Sequence, residues 1–264
     1  MAKSVRKKIP PKFALKMKII KDYGFAIDRN SAILDFGCGG GVCVKELLDC
    51  EYNATGCDIE FKNSENKDLQ RMISEGRIRK IHLNPYRLPF KDDSFDFIFS
   101  DDVFEHVRNY PEAISELSRV LKPGGVCLHA FASRYRLIES HIFVPLSSII
   151  QSYWWIYLWV LLGIRNEWTD CKTVRDRADR YYNYIKQNTN YLTRKDLANN
   201  FAGFFNDVVF CEKELMKFSR WGKYMSFLLD RFPSISSLYS SLRLRIIMTM
   251  KPNKILRQNI YYSA

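Results

Sequence analysis

Ile33-Leu34-Asp35-Phe36-Gly37-Cys38-Gly39-Gly40-Gly41 decides the reading of this chain. A buried-strand pattern runs into a glycine-rich turn, and a helix pattern follows at once from Val42 through Lys45-Glu46-Leu47-Leu48. Glycine permits the tight turn and keeps a Cβ out of the way of an approaching ligand. Open α/β sheets bind ligands at the carboxyl end of such a strand. The turn therefore predicts a nucleotide-sized site. A dinucleotide fingerprint needs G-x-G-x-x-G. Here Gly37, Gly39 and Gly41 alternate, Val42 stands where the third dinucleotide glycine belongs, and Asp35 precedes the first glycine inside the strand end.

Three further pieces follow in order. Ala54-Thr55-Gly56-Cys57-Asp58 reads as a second strand ending in an acid, with Glu60 just beyond. An acid there can accept from ribose hydroxyls; a solvated turn residue is the alternative. Next come Asn84-Pro85-Tyr86-Arg87-Leu88-Pro89-Phe90 and a strand entered through Ser94-Phe95-Asp96. Last come Glu105-His106-Val107 and Arg119-Val120-Leu121-Lys122-Pro123-Gly124-Gly125, a helix stop before the strand Val126 to Phe131. From Ser31 to about Phe131 the ordered set resembles class I S-adenosylmethionine-dependent methyltransferases with a methyltransferase type 11-like domain.

The resemblance implies a Rossmann-like, doubly wound α/β fold, with a mostly parallel seven-stranded sheet and a helical hydrophobic cap inserted after strand 5. It implies S-adenosyl-L-methionine as cofactor, held by Asp35, Gly37, Gly39, Gly41 and Asp58, with Asp58 on the ribose. Asn84 stands where the family's adenine-contacting acid is usual; its carbonyl can still accept from an amine, without charge. Leu88 of the same stretch and Asp101, just past the next strand, complete the expected cofactor set; for Asp101 a solvated loop acid is the alternative.

The first 30 residues read as a basic N-terminal helical extension, 31–132 as the cofactor-binding core, 133–190 as a helical cap or substrate insertion, and 191–264 as the C-terminal part of the core with the last two strands. Helices are expected over Lys12 to Phe25, Lys62 to Glu75 and Pro111 to Leu121. Thr193 reads as an N-cap with Asp196 three residues on. Val208 to Phe210 and Leu242 to Met250 supply the last strands. Hydrophobic content of 47% over 264 residues is ample for a core. No signal peptide is read. Seven cysteines without paired C-x-x-C spacing point to reduced thiols and a cytoplasmic location, possible membrane contact being peripheral at the inner face. The histidines show no metal-ligand spacing, so no metal is expected.

Net charge of +12 is unevenly placed: Met1 to Lys21 holds eight Lys or Arg and no acid, and Ser219 to Ala264 holds eight against Asp230 alone. Two basic ends suit an anionic partner such as a membrane surface, or simply a solvated surface. No RNA-binding module signature is present.

The insertion makes this chain particular. Ser133-Arg134-Tyr135 through Ile138-Glu139-Ser140-His141 to Pro145-Leu146 resembles a pattern in a broad methyltransferase subgroup, with serines replacing the usual Asn and Pro. Glu139 and His141 are the candidate catalytic residues, His141 as a general base near neutral pH; stabilising the loop is the alternative role. Ile142 to Ile164 carries no charge and contains Tyr153-Trp154-Trp155-Ile156-Tyr157-Leu158-Trp159. It reads as a buried cap or an interfacial helix. A bilayer span is disfavoured by its polar first half and because one sheet needs strands on both sides of it. The expected activity is methyl transfer, by preference to oxygen, on a small-molecule, glycan or lipid-linked acceptor. An RNA methyltransferase and a non-catalytic cofactor-binding module are the alternatives.

Overall fold

The computed structural model describes residues 8–168, 170–217, 231, 238, 242 and 244–252. Of the two basic ends singled out above, residues 1–7 and most of 219–264 lie outside these residues. Strands β1 (Ile33–Phe36), β2 (Ala54–Asp58), β3 (Ile78–Lys80), β6 (Phe95–Asp101), β7 (Leu121–Ala132), β8 (Asp207–Phe210) and β9 (Leu244–Met250) form one sheet in the order β3-β2-β1-β6-β7-β9-β8. β3, β2, β1, β6 and β7 run parallel; β9 pairs antiparallel with both β7 and β8. This is the doubly wound, mostly parallel seven-stranded sheet that the sequence implies. The strand order reverses between β1 and β6, and ligands bind such sheets at that switch point.

Helices cover both faces. On one side α1 (Pro11–Asp22), α2 (Val42–Asp49) and α3 (Lys67–Ser74) pack Phe13, Ile20, Leu47 and Met72 onto Ile33, Phe97, Phe99 and Leu128. On the other, α4 (Tyr110–Val120) and α7 (Arg194–Ala202) pack Ile114, Leu117, Leu197 and Phe201 against Leu34, Ile98 and Cys127. α3 begins five residues later than the sequence suggests because the Asn66 side chain accepts from Asp68 N–H and Leu69 N–H and caps the helix there. Thr193 accepts from Asp196 N–H and caps α7. A hairpin of β4 (His82–Leu83) and β5 (Tyr86–Arg87), which the sequence reading did not assign, lies outside the main sheet.

The charge-free run Ile142 to Ile164 is helical only over α5 (Tyr153–Leu161). Its first half is a folded loop with Phe143 and Leu146 at φ 60° and 55°, closed by Leu146 N–H donating to Leu137 C=O. At about 1.5 Å rise per residue, nine helical residues reach less than half of a bilayer core of roughly 30 Å. Among the described residues no helix is long and apolar enough to cross a membrane. α5 packs on α6 (Val174–Asn188), whose N-terminus carries a capping box of Thr173 and Asp176. Ile156, Val160, Tyr181 and Ile185 bury Ile142 and Val144 between them, giving the insertion a core of its own.

Candidate functional site

Three carboxylates stand at the carboxyl ends of three adjacent strands: Asp35 on β1, Asp58 on β2 and Asp101 on β6. Parallel registers that pair Asp35 with Gly56 on one side and Phe99 on the other place them around the switch point. Asp35 is only 5% exposed. Burial, then the nearby Asp101 charge, pushes its carboxyl up to about 7; Lys16 opposes the rise and Asp58 adds to it.

The glycine turn leaves β1 with Gly37 N–H and Cys38 N–H both donating to Cys57 C=O. Gly39 N–H donates to Asp58 Oδ2 at 2.6 Å, and Ile59 N–H and Glu60 N–H donate to Asp58 Oδ1. Asp58 thus ties the turn to β2 through Gly39 and caps the end of its own strand with two local backbone bonds, using about three of its four lone-pair sites. The alternating glycines serve different ends. A Cβ on Gly41 (φ +73°) would sit 2.3 Å from Ile78 Cδ1, whereas one on Gly39 (φ +53°) would meet nothing within 4 Å. Gly41 keeps the turn packed on the core; Gly39 faces open space beside Asp58.

The remaining expected cofactor residues are placed otherwise. Asn84 lies in the exposed turn of the β4–β5 hairpin and makes no described contact with the glycine turn. Leu88 is a core residue, 1% exposed, and its N–H is taken by Glu116 Oε2 at 2.8 Å. Asp101 is paired with Lys16, whose Nζ donates to both carboxylate oxygens at 2.6 and 2.7 Å. Lys16 was missed by the sequence reading. The available signal was a lysine on the apolar stripe Phe13, Lys16, Ile19, Ile20 of a helix.

A second cluster sits where the insertion meets the core. Glu139 has no exposed side-chain surface. Its Oε1 accepts from Tyr191 Oη at 2.5 Å and pairs with His141 Nδ1 at 2.7 Å; its Oε2 accepts from the backbone N–H groups of His141 and Ile142, each at 2.8 Å. Burial alone would raise the Glu139 carboxyl, but these bonds outweigh it and hold it below its ordinary value. Burial likewise opposes charge on His141, yet the Glu139 bond and the Glu139, Glu105 and Asp102 charges leave His141 raised above its usual value. Glu139, fully enclosed, cannot touch an acceptor; it orients His141. His141 keeps 23% of its side chain exposed, packs on the His106 and Tyr184 rings, and has Nε2 free of the Glu139 bond. Glu105, 1% exposed, is pushed up to about 7 by burial and has Oε2 without a hydrogen-bond partner. The segment from Asp101 to His106 therefore joins the two halves of the site, with Asp101 at the strand ends and the Glu105 charge felt at His141.

No group of three or more His, Cys, Asp or Glu side chains able to hold a metal occurs among the described residues. None of the seven cysteines is in a disulfide. Burial pushes Cys38 and Cys57, beside the turn, far above the usual thiol range, which suits small core residues rather than nucleophiles.

The sheet order, with its antiparallel last strand and its acids around a glycine turn, defines the fold of the class I methyltransferases. Residues 34–129 match the family model described as a methyltransferase domain, so this part of the chain is a class I S-adenosylmethionine-dependent methyltransferase domain. Among curated proteins, the demethylmenaquinone methyltransferase of Staphylococcus epidermidis is 27% identical over 191 residues, covering 69% of this chain and 71% of its own. Among solved structures, phosphoethanolamine N-methyltransferase 2 of Haemonchus contortus, in complex with S-adenosylhomocysteine, superposes with a TM-score of 0.51 at 17% identity over 92% of this chain. The chain spans 54% of that protein. An S-adenosylmethionine-dependent methyltransferase from Mesorhizobium loti gives a TM-score of 0.50 at 15% identity, over 90% of this chain and 95% of that one.

Proposed function

We propose that this protein methylates a hydroxyl of an acceptor that carries a lipid or long apolar portion, met at a membrane surface. The pairing of partly exposed His141 with enclosed Glu139 carries the reading. Two features fit the cofactor at the strand ends. Asp35 is a buried carboxylate with no described hydrogen-bond partner, suited to a cationic ligand, and the space off Gly39 leaves room for one. Asp35 would take the amino-acid ammonium, and Asp58 would offer its remaining acceptor capacity to the ribose. The cofactor supplies an already activated sulfonium methyl, so the protein has to position the acceptor, exclude water and remove a proton. During methyl transfer His141 Nε2 would take the proton of the acceptor hydroxyl. Glu139 holds the ring in the tautomer that leaves Nε2 free and stabilises the charge that then forms.

The apolar portion is inferred from the insertion's outer surface. Trp154 is 74% exposed, and Leu158, Leu161 and Leu162 follow it on the same face of α5, with Leu137, Ile138 and Ile150 exposed in the loops beside it. An aromatic and aliphatic helix face of this kind suits the bilayer interface. The kinship with a demethylmenaquinone methyltransferase, by its name an enzyme acting on a quinone, supports an apolar acceptor. Incubating the protein with methyl-labelled cofactor and cell extract, then separating lipid, glycan, RNA and protein, tests this. Label is expected in the organic-extractable lipid fraction and lost with His141→Gln. Label in RNA or protein instead would overturn it.

A further inference from the structure

We propose that Lys16 binds the α-carboxylate of the cofactor's amino-acid portion, and that Asp101 holds the Lys16 ammonium while the site is without cofactor. The inference rests on the cofactor reading above and adds a binding residue from a helix outside the matched domain, residues 34–129.

Lys16 is 5% exposed on α1, between turns that bury Phe13, Ile19 and Ile20. A buried ammonium is costly unless it is paired, and most lysines reach for water. This one points inward: Nζ lies 5.4 Å from the Phe99 ring and forms two short bonds to Asp101. Its charge is also felt at Asp35, where it opposes the rise in the carboxyl's pKa. Lys16 is thus a cation within reach of the acids that flank the switch point.

The charges of the ligand complete the argument. S-adenosylmethionine brings two cations, the α-ammonium and the sulfonium, and one carboxylate. Asp35 and Asp101 can answer the cations. The carboxylate needs a donor, and Gly39 N–H is already given to Asp58. Lys16 has three N–H donors on a flexible stem. It can move from Asp101 to the incoming carboxylate while α1 stays anchored by Phe13, Ile19 and Ile20. That exchange frees Asp101 to face the ligand's ammonium beside Asp35, so one ion pair becomes an alternating set of charges without a new charge being buried alone.

The test compares S-adenosylmethionine with decarboxylated S-adenosylmethionine, which keeps both cations and lacks only the carboxylate. Equilibrium binding of each is measured on the full chain for wild type, Lys16→Arg, Lys16→Met and Lys16→Met/Asp101→Asn. The double variant removes both charges, so it leaves no orphaned carboxylate to unfold the protein, and thermal melts check folding. Wild type is expected to prefer the carboxylated ligand by about tenfold or more, the range for a hydrogen bond to a charged group. Lys16→Arg should keep much of that preference. Both methionine variants should show a ratio near unity. A preference retained in the double variant, or equal weakening of both ligands, would overturn the assignment and leave Lys16 a structural partner of Asp101. Wild type binding both ligands equally would remove the Lys16 role but spare the cofactor reading. Wild type binding neither would defeat both.

Discussion

Alanine at Gly39 and alanine at Gly41 should have opposite consequences, although both positions have the same kind of backbone. Both glycines have positive φ, so either alanine pays the left-handed penalty of about 1–2 kcal/mol. There the similarity ends. The Gly41 Cβ would lie 2.3 Å from Ile78 Cδ1 and 3.0 Å from Met72 Cε, inside a packed core where overfilling costs a further ~1–3 kcal/mol. Gly41→Ala is therefore expected to lose roughly 2–5 kcal/mol of stability. The Gly39 Cβ would meet nothing within 4 Å, so Gly39→Ala should lose about 1–2 kcal/mol and no more. In a chain of this size each kcal/mol shifts the melting temperature by about 2–4 °C, so scanning calorimetry separates the two variants. Ligand binding should reverse the order. The space beside Asp58 that Gly39 leaves open is where the cofactor is expected, so Gly39→Ala should bind S-adenosylmethionine at least about tenfold more weakly. Gly41→Ala, where folded, should bind nearly as wild type. A folded Gly39→Ala variant with wild-type affinity would refute the assignment of that space.

Three further outcomes follow from the titrating and apolar groups. His141→Gln should lower kcat by about 10²–10⁴-fold with cofactor affinity unchanged, as for a lost general base; in wild type, kcat should rise with pH along a limb above 6.5, because His141 is raised and accepts a proton only when neutral. A pH-independent kcat in that range would remove His141 from the chemistry. Asp35 is raised from 3.8 to about 7, so the fold favours its protonated form, and its contribution to the stability of the cofactor-free protein falls as pH rises through that window. Asp35→Asn should flatten that fall and melt higher than wild type at pH 8, yet bind S-adenosylmethionine more weakly; in wild type the cofactor should release a proton near pH 7, read by calorimetry in buffers of different ionisation heat. Wild-type protein should float with anionic liposomes, and a Trp154→Ala, Leu158→Ala, Leu162→Ala variant should not; equal flotation would assign membrane contact to other surfaces.

The sheet was legible because its signals are local. A strand, a glycine turn and a helix announce themselves within about a dozen residues, and the acids at 35, 58 and 101 fall at strand ends that the hydrophobic pattern already marks. What stayed hidden depends on contacts distant in sequence. Lys16 and Asp101 are 85 residues apart, and Tyr191 lies 52 residues from the Glu139 it bonds. Glu139 and His141 are both catalytic candidates in the sequence, because spacing cannot tell that one is enclosed and the other open. Leu88 read with the cofactor set because its motif is contiguous with Asn84, but its side chain turns into the core. The charge-free run read as one apolar segment, since composition does not report the positive-φ turns at Phe143 and Leu146 that fold its first half back on itself.

Calorimetric titration of the purified chain with S-adenosylmethionine, S-adenosylhomocysteine and NAD tests the central claim most directly. The alternating glycines, Asp35 without a partner among the described residues, and the open space at Gly39 predict saturable one-to-one binding of the first two and none of NAD. Binding of NAD with no response to S-adenosylmethionine would contradict the account at its base.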